Sequence, residues 1–570
     1  MRGAWLDDDD PVGRNARRHD GAARWHDPTL EDRDWTPPSL RGGVHLPEPD
    51  ATKHSVANAQ LDMPSGTRTR GPWLSDFDDD VTVRKHRGSH RGSGPDPLDP
   101  LDPLGDAGDH DRGDRHHAVP GTREKPAPGW TQALLGIGAL FAVGTVIAGA
   151  VGSSETRAAA VTMIVLCLIA FPLLKRVAGG RRDYEQILYA GLGFKLTMTV
   201  ARYYLASGGY YKNSDAYGYD FYGRQIASQY LRHGHLPPWK SWTGTPFLRL
   251  VTGFVYTIMP ASELAAFFVF AAFSFIGTLL FWKGVQKFAP PPSDRKYLLM
   301  LMFIPSFVYW PSALGKEAFI ILCLGLTTYG FACVLKNNVV VGLPCIVGGV
   351  AGMTMVRPHV GIAVMIGLTI ATALAKQSGR RTGLVAMVIF LIIGSGFVIS
   401  KANSFFKSDV TNASNITAQL NAAGTRTGQG GSEFEPTPVN PVNFPFAVVT
   451  VLIRPFPWET TSVPELATAL ESMVIGWFII RGLKDIRGRL RRDNPLAIYA
   501  LVVTLVFVVL FWQFSNFGIL ARQRTQIAPF MFMLLAMPVT EFVEKKRVRR
   551  ERRSGKSAWD EWDAAHGELA

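Results

Sequence analysis

Acidic and aromatic side chains are interleaved in one polar stretch of an otherwise apolar region. Residues 207–244 contain the sequence SDAYGYDFY between two apolar segments. Aromatic rings stack on the apolar faces of sugars, and a carboxylate can act as general base toward a sugar hydroxyl. We therefore predict that Asp215 and Asp220 are catalytic and that Tyr217 binds substrate. The alternative interpretation is an interfacial belt of tyrosines with solvated acids.

Arginines recur at the ends of apolar segments, in the sequences RPH, RPFPWE and LARQR. A guanidinium group binds phosphate oxygens through two parallel hydrogen bonds. Ionisable side chains at a membrane boundary are costly unless they pair with one another or bind a charged ligand. The predicted substrate-binding group therefore comprises Lys316, Glu317, Arg357, His359, Arg454, Glu459, Arg522 and Arg524. The alternatives are snorkelling toward lipid headgroups, pairing between Lys316 and Glu317, and a structural role for His359.

Several chemistries lack a sequence signature. The chain contains no P-loop, no dinucleotide glycine fingerprint, no zinc-type spacing of Cys and His, and no nucleophile elbow. The four cysteines all lie in apolar segments, which excludes a disulfide-stapled secreted fold. We therefore predict neither nucleotide hydrolysis nor a resident metal, and the sequence leaves open whether a divalent cation takes part.

Long apolar segments must position these residues. The 570-residue chain is 47% hydrophobic, and its apolar runs are concentrated in residues 130–541. Since a helix needs about 20 residues to cross about 30 Å of hydrocarbon, this region predicts about twelve spans. The predicted spans are 130–152, 158–178, 185–206, 261–283, 297–313, 318–335, 339–356, 359–375, 382–402, 466–481, 495–514 and 524–541. The segment 245–260 is bounded by two prolines and is predicted to be a re-entrant or interfacial helix.

The predicted fold class is an all-α polytopic membrane protein with a disordered N-terminal tail. Residues 1–129 are polar, of mixed charge, and cannot bury enough apolar surface to offset chain entropy. Residues 542–570 form a basic C-terminal tail. We predict that both tails are cytoplasmic.

Lysine and arginine are concentrated in alternate connections between the predicted spans, as the positive-inside rule requires of cytoplasmic loops. The basic connections are 175–182, 283–296, 376–381, 481–492 and 545–553. This pattern predicts a multi-pass protein of the cytoplasmic (plasma) membrane with large outer loops at 207–244 and 403–465. The net charge of +13 then reflects topology and attraction to anionic membrane lipids, and we predict no nucleic-acid partner.

Five segments together resemble a known group of membrane enzymes. They are SDAYGY at 214–219, PSALGKE at 311–317, RPH at 357–359, RPFPWE at 454–459 and NFGILARQR at 516–524. The region 130–541 is similar to GT-C glycosyltransferases and O-antigen-type polysaccharide polymerases, which act on polyprenyl-linked sugars at the outer face of the membrane. The resemblance implies that Asp215 is the outer-loop acid of the glycosyltransferases, although that acid usually follows the first span and here follows the third. The outer-loop arginines of the polymerases correspond to Arg454, Arg522 and Arg524.

The leading hypothesis is therefore a membrane glycosyltransferase or polysaccharide polymerase with a polyprenyl-phosphate-linked sugar donor and a glycan acceptor. A transporter or flippase of lipid-linked glycan is the second hypothesis, but it should show repeated halves or charges along a midplane cavity. The sequence shows no convincing internal repeat, and its ionisable residues are concentrated at the predicted outer boundary. A non-catalytic envelope assembly scaffold, in which the tail recruits cytoplasmic partners, is the third.

Overall fold

A computed structural model of the protein describes residues 129–207, 215–237, 242–375, 381–428, 432–483, 489–490 and 494–537. Within these ranges the regular structure is helical, and a single isolated bridge pairs Glu433 with Asn516. The prediction of an all-α chain is thereby confirmed for the described ranges. The predicted N-terminal and C-terminal tails lie outside them, apart from Gly129.

Eighteen α-helices are described along the chain. Helices α1 to α6 are Gly129–Val151, Ser154–Ala178, Arg182–Ser207, Asp215–His233, Thr245–Ile258 and Glu263–Gln286. Helices α7 to α12 are Ser293–Phe303, Pro305–Tyr309, Lys316–Leu335, Val339–Val356, Pro358–Leu374 and Arg381–Phe406. Helices α13 to α18 are Ala413–Thr427, Phe444–Ile453, Val463–Leu483, Pro495–Phe511, Phe517–Arg524 and Ala528–Ala536.

Six of these helices are long and apolar enough to cross a membrane: α2, α6, α9, α10, α15 and the Val385–Phe406 part of α12. The shorter apolar helices are the Gly138–Val151 part of α1, the segment Pro441–Ile453 that contains α14, and helices α11 and α16. Most predicted spans coincide with a helix within a few residues. The chain is therefore a membrane protein by the length and composition of its helices.

The predicted span 297–313 is not one continuous helix, because the structure divides this segment into two short helices. Helix α7 ends at Phe303, and Ile304 adopts an extended conformation with ψ of 115°. Proline at position 305 has no N–H group and cannot continue the hydrogen bonding of the preceding turn. Hydropathy alone does not register this break, since both halves are apolar.

The predicted loops contain helices of their own. The connection 207–244 carries α4, and the connection 403–465 carries α13 and α14. Helix α5 has 14 residues and therefore rises only about 21 Å. That length is too short for a full crossing, consistent with the predicted re-entrant or interfacial helix.

The core of the bundle is built around α6 and α9, which approach each other through glycine. A Cβ atom at Gly325 would lie 2.2 Å from the carbonyl oxygen of Gly277, and one at Gly277 would lie 2.3 Å from the carbonyl oxygen of Ile321. Membrane helices associate closely where small residues allow backbones to touch. The pair Gly277 and Gly325 therefore sets the separation of these two helices.

Basic connections meet at one end of the bundle, which we call the basic end. Asp183 forms an ion pair with Arg181 at 3.2 Å and another with Arg295 at 3.6 Å. The ammonium group of Lys336 lies 4.9 Å from the ring centre of Phe288. Three separate connections therefore share this end, and two of them are among those that the positive-inside rule assigns to one side.

We expect Gly325→Ala to lower the free energy of unfolding by about 1–3 kcal/mol, because the added methyl group forces α6 and α9 apart. Thermal unfolding of the purified protein measures the loss. Gly348→Ala in α10 is the matched control, since a Cβ atom there meets nothing within 4 Å. Equal unfolding temperatures for the two variants would contradict the close approach.

Candidate functional site

A buried glutamate joins two arginines at the opposite end of α9 from the basic end. Glu317 lies in the first turn of α9, and its side chain is 4% exposed. Arg357 donates to its Oε1 atom at 2.7 Å. Arg522 donates to both carboxylate oxygens at 2.9 Å, through Nε and Nη2. One carboxylate therefore pairs with two guanidinium groups, and the fork of Arg522 fixes its orientation.

The same arginine extends this arrangement toward solvent. Arg522 also donates to Oδ2 of Asp215 at 3.2 Å, and the side chains of Asp215 and Arg522 are 40% and 28% exposed. On the buried side, Arg357 donates to Oε1 of Gln523 at 2.7 Å. We call Asp215, Glu317, Arg357, Arg522 and Gln523 the Glu317 network. The Arg357–Glu317 pair of this network is buried, and the Arg522–Asp215 pair is accessible to solvent.

Lys316 does not pair with Glu317, although the two are neighbours in sequence. Successive residues of a helix point about 100° apart, so their side chains diverge. Lys316 instead donates to Oγ1 of Thr245 at 2.7 Å, at the start of α5. Together with the network, Lys316 gives three cationic and two anionic side chains. Within this group the cations therefore outnumber the carboxylates, and one of the carboxylates, Asp215, is accessible.

The surroundings of Arg522 keep it charged. Burial lowers the pKa of its guanidinium group, but the adjacent carboxylates of Glu317 and Asp215 raise it further, and the pKa ends above its usual value. Tyr219 is buried one turn after Asp215, and burial and the carboxylate of Asp215 raise its pKa well above the usual value. Arg522 can therefore act as a permanent cation, and the Tyr219 hydroxyl stays protonated.

An apolar cavity lies next to the network, between α11, α12, α13 and α16. Its lining includes His359, Ile362, Phe406, Leu420 and Phe511. The ring of His359 lies 6.3 Å from that of Phe406 and within electrostatic range of Lys316 and Arg357. His359 therefore stands at the boundary between the apolar cavity and the cationic end of the network.

Arg454 and Glu459 form a second, separate pair. Arg454 donates to Oε1 of Glu459 through Nε at 2.9 Å, and its guanidinium group lies over the rings of Phe434 and Phe517, at 4.6 and 5.2 Å. Burial raises the pKa of Glu459, but hydrogen bonds from Arg454 and from the backbone N–H of Phe456 outweigh it, and the pKa falls below its usual value. This pair stiffens the segment between α14 and α15 and does not belong to the network.

Arg524 is buried and serves as an anchor for α17. It donates through Nε to the carbonyl of Val451 at 2.9 Å and through Nη1 to Oγ of Ser472 at 2.6 Å. A third bond, from Nη2, reaches the carbonyl of Arg454. Arg522, Gln523 and Arg524 thus project from one helix toward different neighbours. The four predicted ligand-binding arginines are therefore divided: Arg357 and Arg522 lie in the network, Arg454 pairs with Glu459, and Arg524 is bound to α14 and α15.

Two further predicted residues lie outside the Glu317 network. Asp220 accepts a hydrogen bond from Arg224 at 2.9 Å and another from the hydroxyl of Tyr256. Arg224 also pairs with Glu155 at 3.0 Å, so Asp220 belongs to a different ionic group. Tyr217 is an exposed ring stacked beside Phe221. Of the two predicted catalytic acids, the structure therefore brings only Asp215 to the network.

Sequence reasoning missed Gln523, although it lies between the two arginines of the LARQR segment. Only its position between two arginines could have indicated a role for this residue, because glutamine is uncharged and is not conspicuous in an apolar sequence. Glu471, in α15, accepts a hydrogen bond from the backbone N–H of Ser306 at 2.9 Å, with Arg524 contributing at longer range.

The described ranges contain no group of three or more His, Cys, Asp or Glu residues arranged to hold a metal ion. Comparison with protein-family models, with curated proteins and with solved structures gave no match. The geometry of the site therefore carries the functional argument.

We expect Arg524→Gln to destabilise the protein by about 2–4 kcal/mol, because acceptors on α14 and α15 lose a buried charged donor. Arg481→Gln is the control, since Arg481 is exposed and stacked on Trp477 at 4.8 Å, an interaction worth about 1 kcal/mol or less. Unfolding of both purified variants gives the comparison. A loss for Arg524→Gln no larger than that of the control would show that α17 is held by other contacts.

Proposed function

We propose that this protein is a membrane glycosyltransferase or polysaccharide polymerase that uses polyprenyl-phosphate-linked sugars. The observation that carries the proposal is the accessible Asp215–Arg522 pair, which combines a carboxylate and a permanent cation at 3.2 Å. Glycosyl transfer from a phosphate needs both groups, because a hydroxyl must lose a proton while a phosphate leaves with negative charge.

The proposed reaction uses the network in a fixed order. The donor phosphate takes the place of Asp215 on the exposed side of Arg522, while Glu317 keeps the other side of the guanidinium group in place. Asp215, released from Arg522, accepts the proton of the acceptor hydroxyl while the hydroxyl oxygen forms a bond to the anomeric carbon of the donor sugar. The bond from that carbon to the phosphate oxygen breaks, and Arg522 stabilises the leaving phosphate. Lys316 adds a second positive charge to the site.

The apolar cavity supports a lipid-linked donor. Its lining is aliphatic and aromatic apart from a few polar groups, and His359 joins it to the cationic side chains. A polyprenyl phosphate has complementary parts, because its hydrocarbon chain suits the apolar cavity and its phosphate suits the cationic side chains. The proposed site binds the first isoprene units in the cavity and the phosphate at Arg522.

The proposal places the Glu317 network at the outer face of the plasma membrane. The supporting observation is α9, which begins at Lys316 in the network and ends at Leu335 beside the basic end. Its 20 residues span about 30 Å, the thickness of the hydrocarbon layer. If α7 and α8 together make the crossing predicted at 297–313, the chain keeps an even number of crossings. Because basic connections favour the cytoplasm, we infer about twelve crossings with both termini cytoplasmic.

A transporter of lipid-linked glycan is the second candidate, and one observation favours it. The segment between α7 and α9 is interrupted, and Lys195 in the middle of α3 contacts the interruption. Broken helices with a buried ionisable residue are typical of transporter binding sites. A transporter would leave glycan bonds intact, so the products in cells separate the two candidates.

We expect Asp215→Asn to reduce glycan assembly at least about 100-fold, because the general base is lost. Arg522→Lys should also reduce it, because Lys cannot contact Glu317 and a phosphate through one planar fork. Mass spectrometry of lipid-linked glycans in cells that express each variant, compared with cells lacking the gene, measures the effect at equal protein level in the membrane.

Glu435→Gln is the matched control, since Glu435 is an exposed carboxylate outside the network. Wild-type assembly by both network variants would reject the proposed chemistry. Complete glycan that accumulates on the cytoplasmic leaflet in those variants would support transport in its place.

A further inference from the structure

The interruption between α7 and α9 leaves backbone carbonyl groups without helical partners. Helix α8 has 5 residues, and the chain after it is not helical until α9 begins. The carbonyl of Val308 accepts a hydrogen bond from Oγ of Ser312 at 2.6 Å. The carbonyl of Pro311 accepts one from Oγ of Ser274 at 2.8 Å. Each carbonyl oxygen retains a second lone pair.

Lys195 supplies the second donor to both carbonyls. Its Nζ atom lies 3.2 Å from the oxygen of Val308 and 3.2 Å from the oxygen of Pro311. Lys195 is 5% exposed and lies near the middle of the 26-residue helix α3. In the part of the chain that the structure describes, no carboxylate forms a salt bridge with it.

An ammonium group inside an apolar bundle is costly unless other groups compensate its charge. Here the compensation comes from carbonyl dipoles that converge on a single nitrogen atom. Carbonyl groups released by unwound membrane helices coordinate small cations in the same way. The two carbonyl groups therefore have the chemistry of a cation site, and the cation that they bind is the ammonium group of the Lys195 side chain.

We propose that the break between α7 and α9 is a monovalent-cation site that the Lys195 ammonium group fills in place of a free ion. The tether keeps the site occupied at any salt concentration. In the same segment, the guanidinium group of Arg202 lies 4.7 Å from the ring centre of Trp310. The segment ends where α9 begins at Lys316, beside the Glu317 network. This inference concerns the architecture of the segment and does not rest on the proposed enzymatic function.

The test is chemical rescue of the purified full-length protein in detergent. Lys195→Ala removes the ammonium group and leaves a space lined by the two carbonyls and the two serine hydroxyls. We expect its unfolding temperature to fall by several degrees, and methylammonium chloride to restore at least half of the loss in a saturable manner. Choline chloride, whose cation is too large for the space, should restore none of it. Lys195→Met fills the space with an uncharged side chain and should not respond to methylammonium.

Equal stabilisation of Lys195→Ala by methylammonium and choline would overturn the inference. If Lys195→Ala is recovered as folded protein only when methylammonium is present throughout purification, the inference is supported. If it is recovered in neither condition, Lys195→Gln decides, because glutamine donates hydrogen bonds without charge. An unfolding temperature equal to that of the wild type would then overturn the cation site, and a loss of several degrees would support it.

Discussion

The bridge from Glu317 to Arg357 and Arg522 is the interaction on which the network end of the bundle depends. A carboxylate buried in an apolar surrounding is costly without a cation, and two guanidinium groups at this distance repel each other without an anion between them. Each member therefore requires the others. Because they lie on α9, at the start of α11 and on α17, the bridge determines where these three elements meet.

Other ionic groups of the molecule are arranged around this bridge. Arg524 binds α17 to α14 and α15, and Lys195 binds the interrupted segment that precedes α9. The two elements that carry Arg522 and Glu317 are thus each anchored on a side away from the bridge. Among the charged side chains of the network, that of Asp215 is the most exposed. The architecture therefore combines fixed cations with one exchangeable partner, as a site for an anionic ligand requires.

Hydropathy predicts the helices well because long apolar runs have few alternatives in a membrane. It does not predict the interruption at Pro305, since the residues on both sides of the proline are apolar and their summed length resembles a single span. The residue types of the site were also predictable, because ionisable groups beside apolar helices are uncommon. The sequence does not predict which of these residues pair with one another. Asp215 and Arg522 are 307 positions apart, and nothing in their local sequence distinguishes Asp215 from Asp220.

The coupling energy between Glu317 and Arg522 measures how strongly the bridge holds these elements together. Glu317→Gln, Arg522→Gln and the double variant form a thermodynamic cycle, with the free energy of unfolding measured in mixed micelles. We expect a coupling of at least about 2 kcal/mol, because each single variant leaves a buried charge without its partner. The same cycle for Glu317 and the exposed Arg481 should be additive within about 0.5 kcal/mol. Additive effects for Glu317 and Arg522 as well would show that the network end of the bundle does not depend on this bridge.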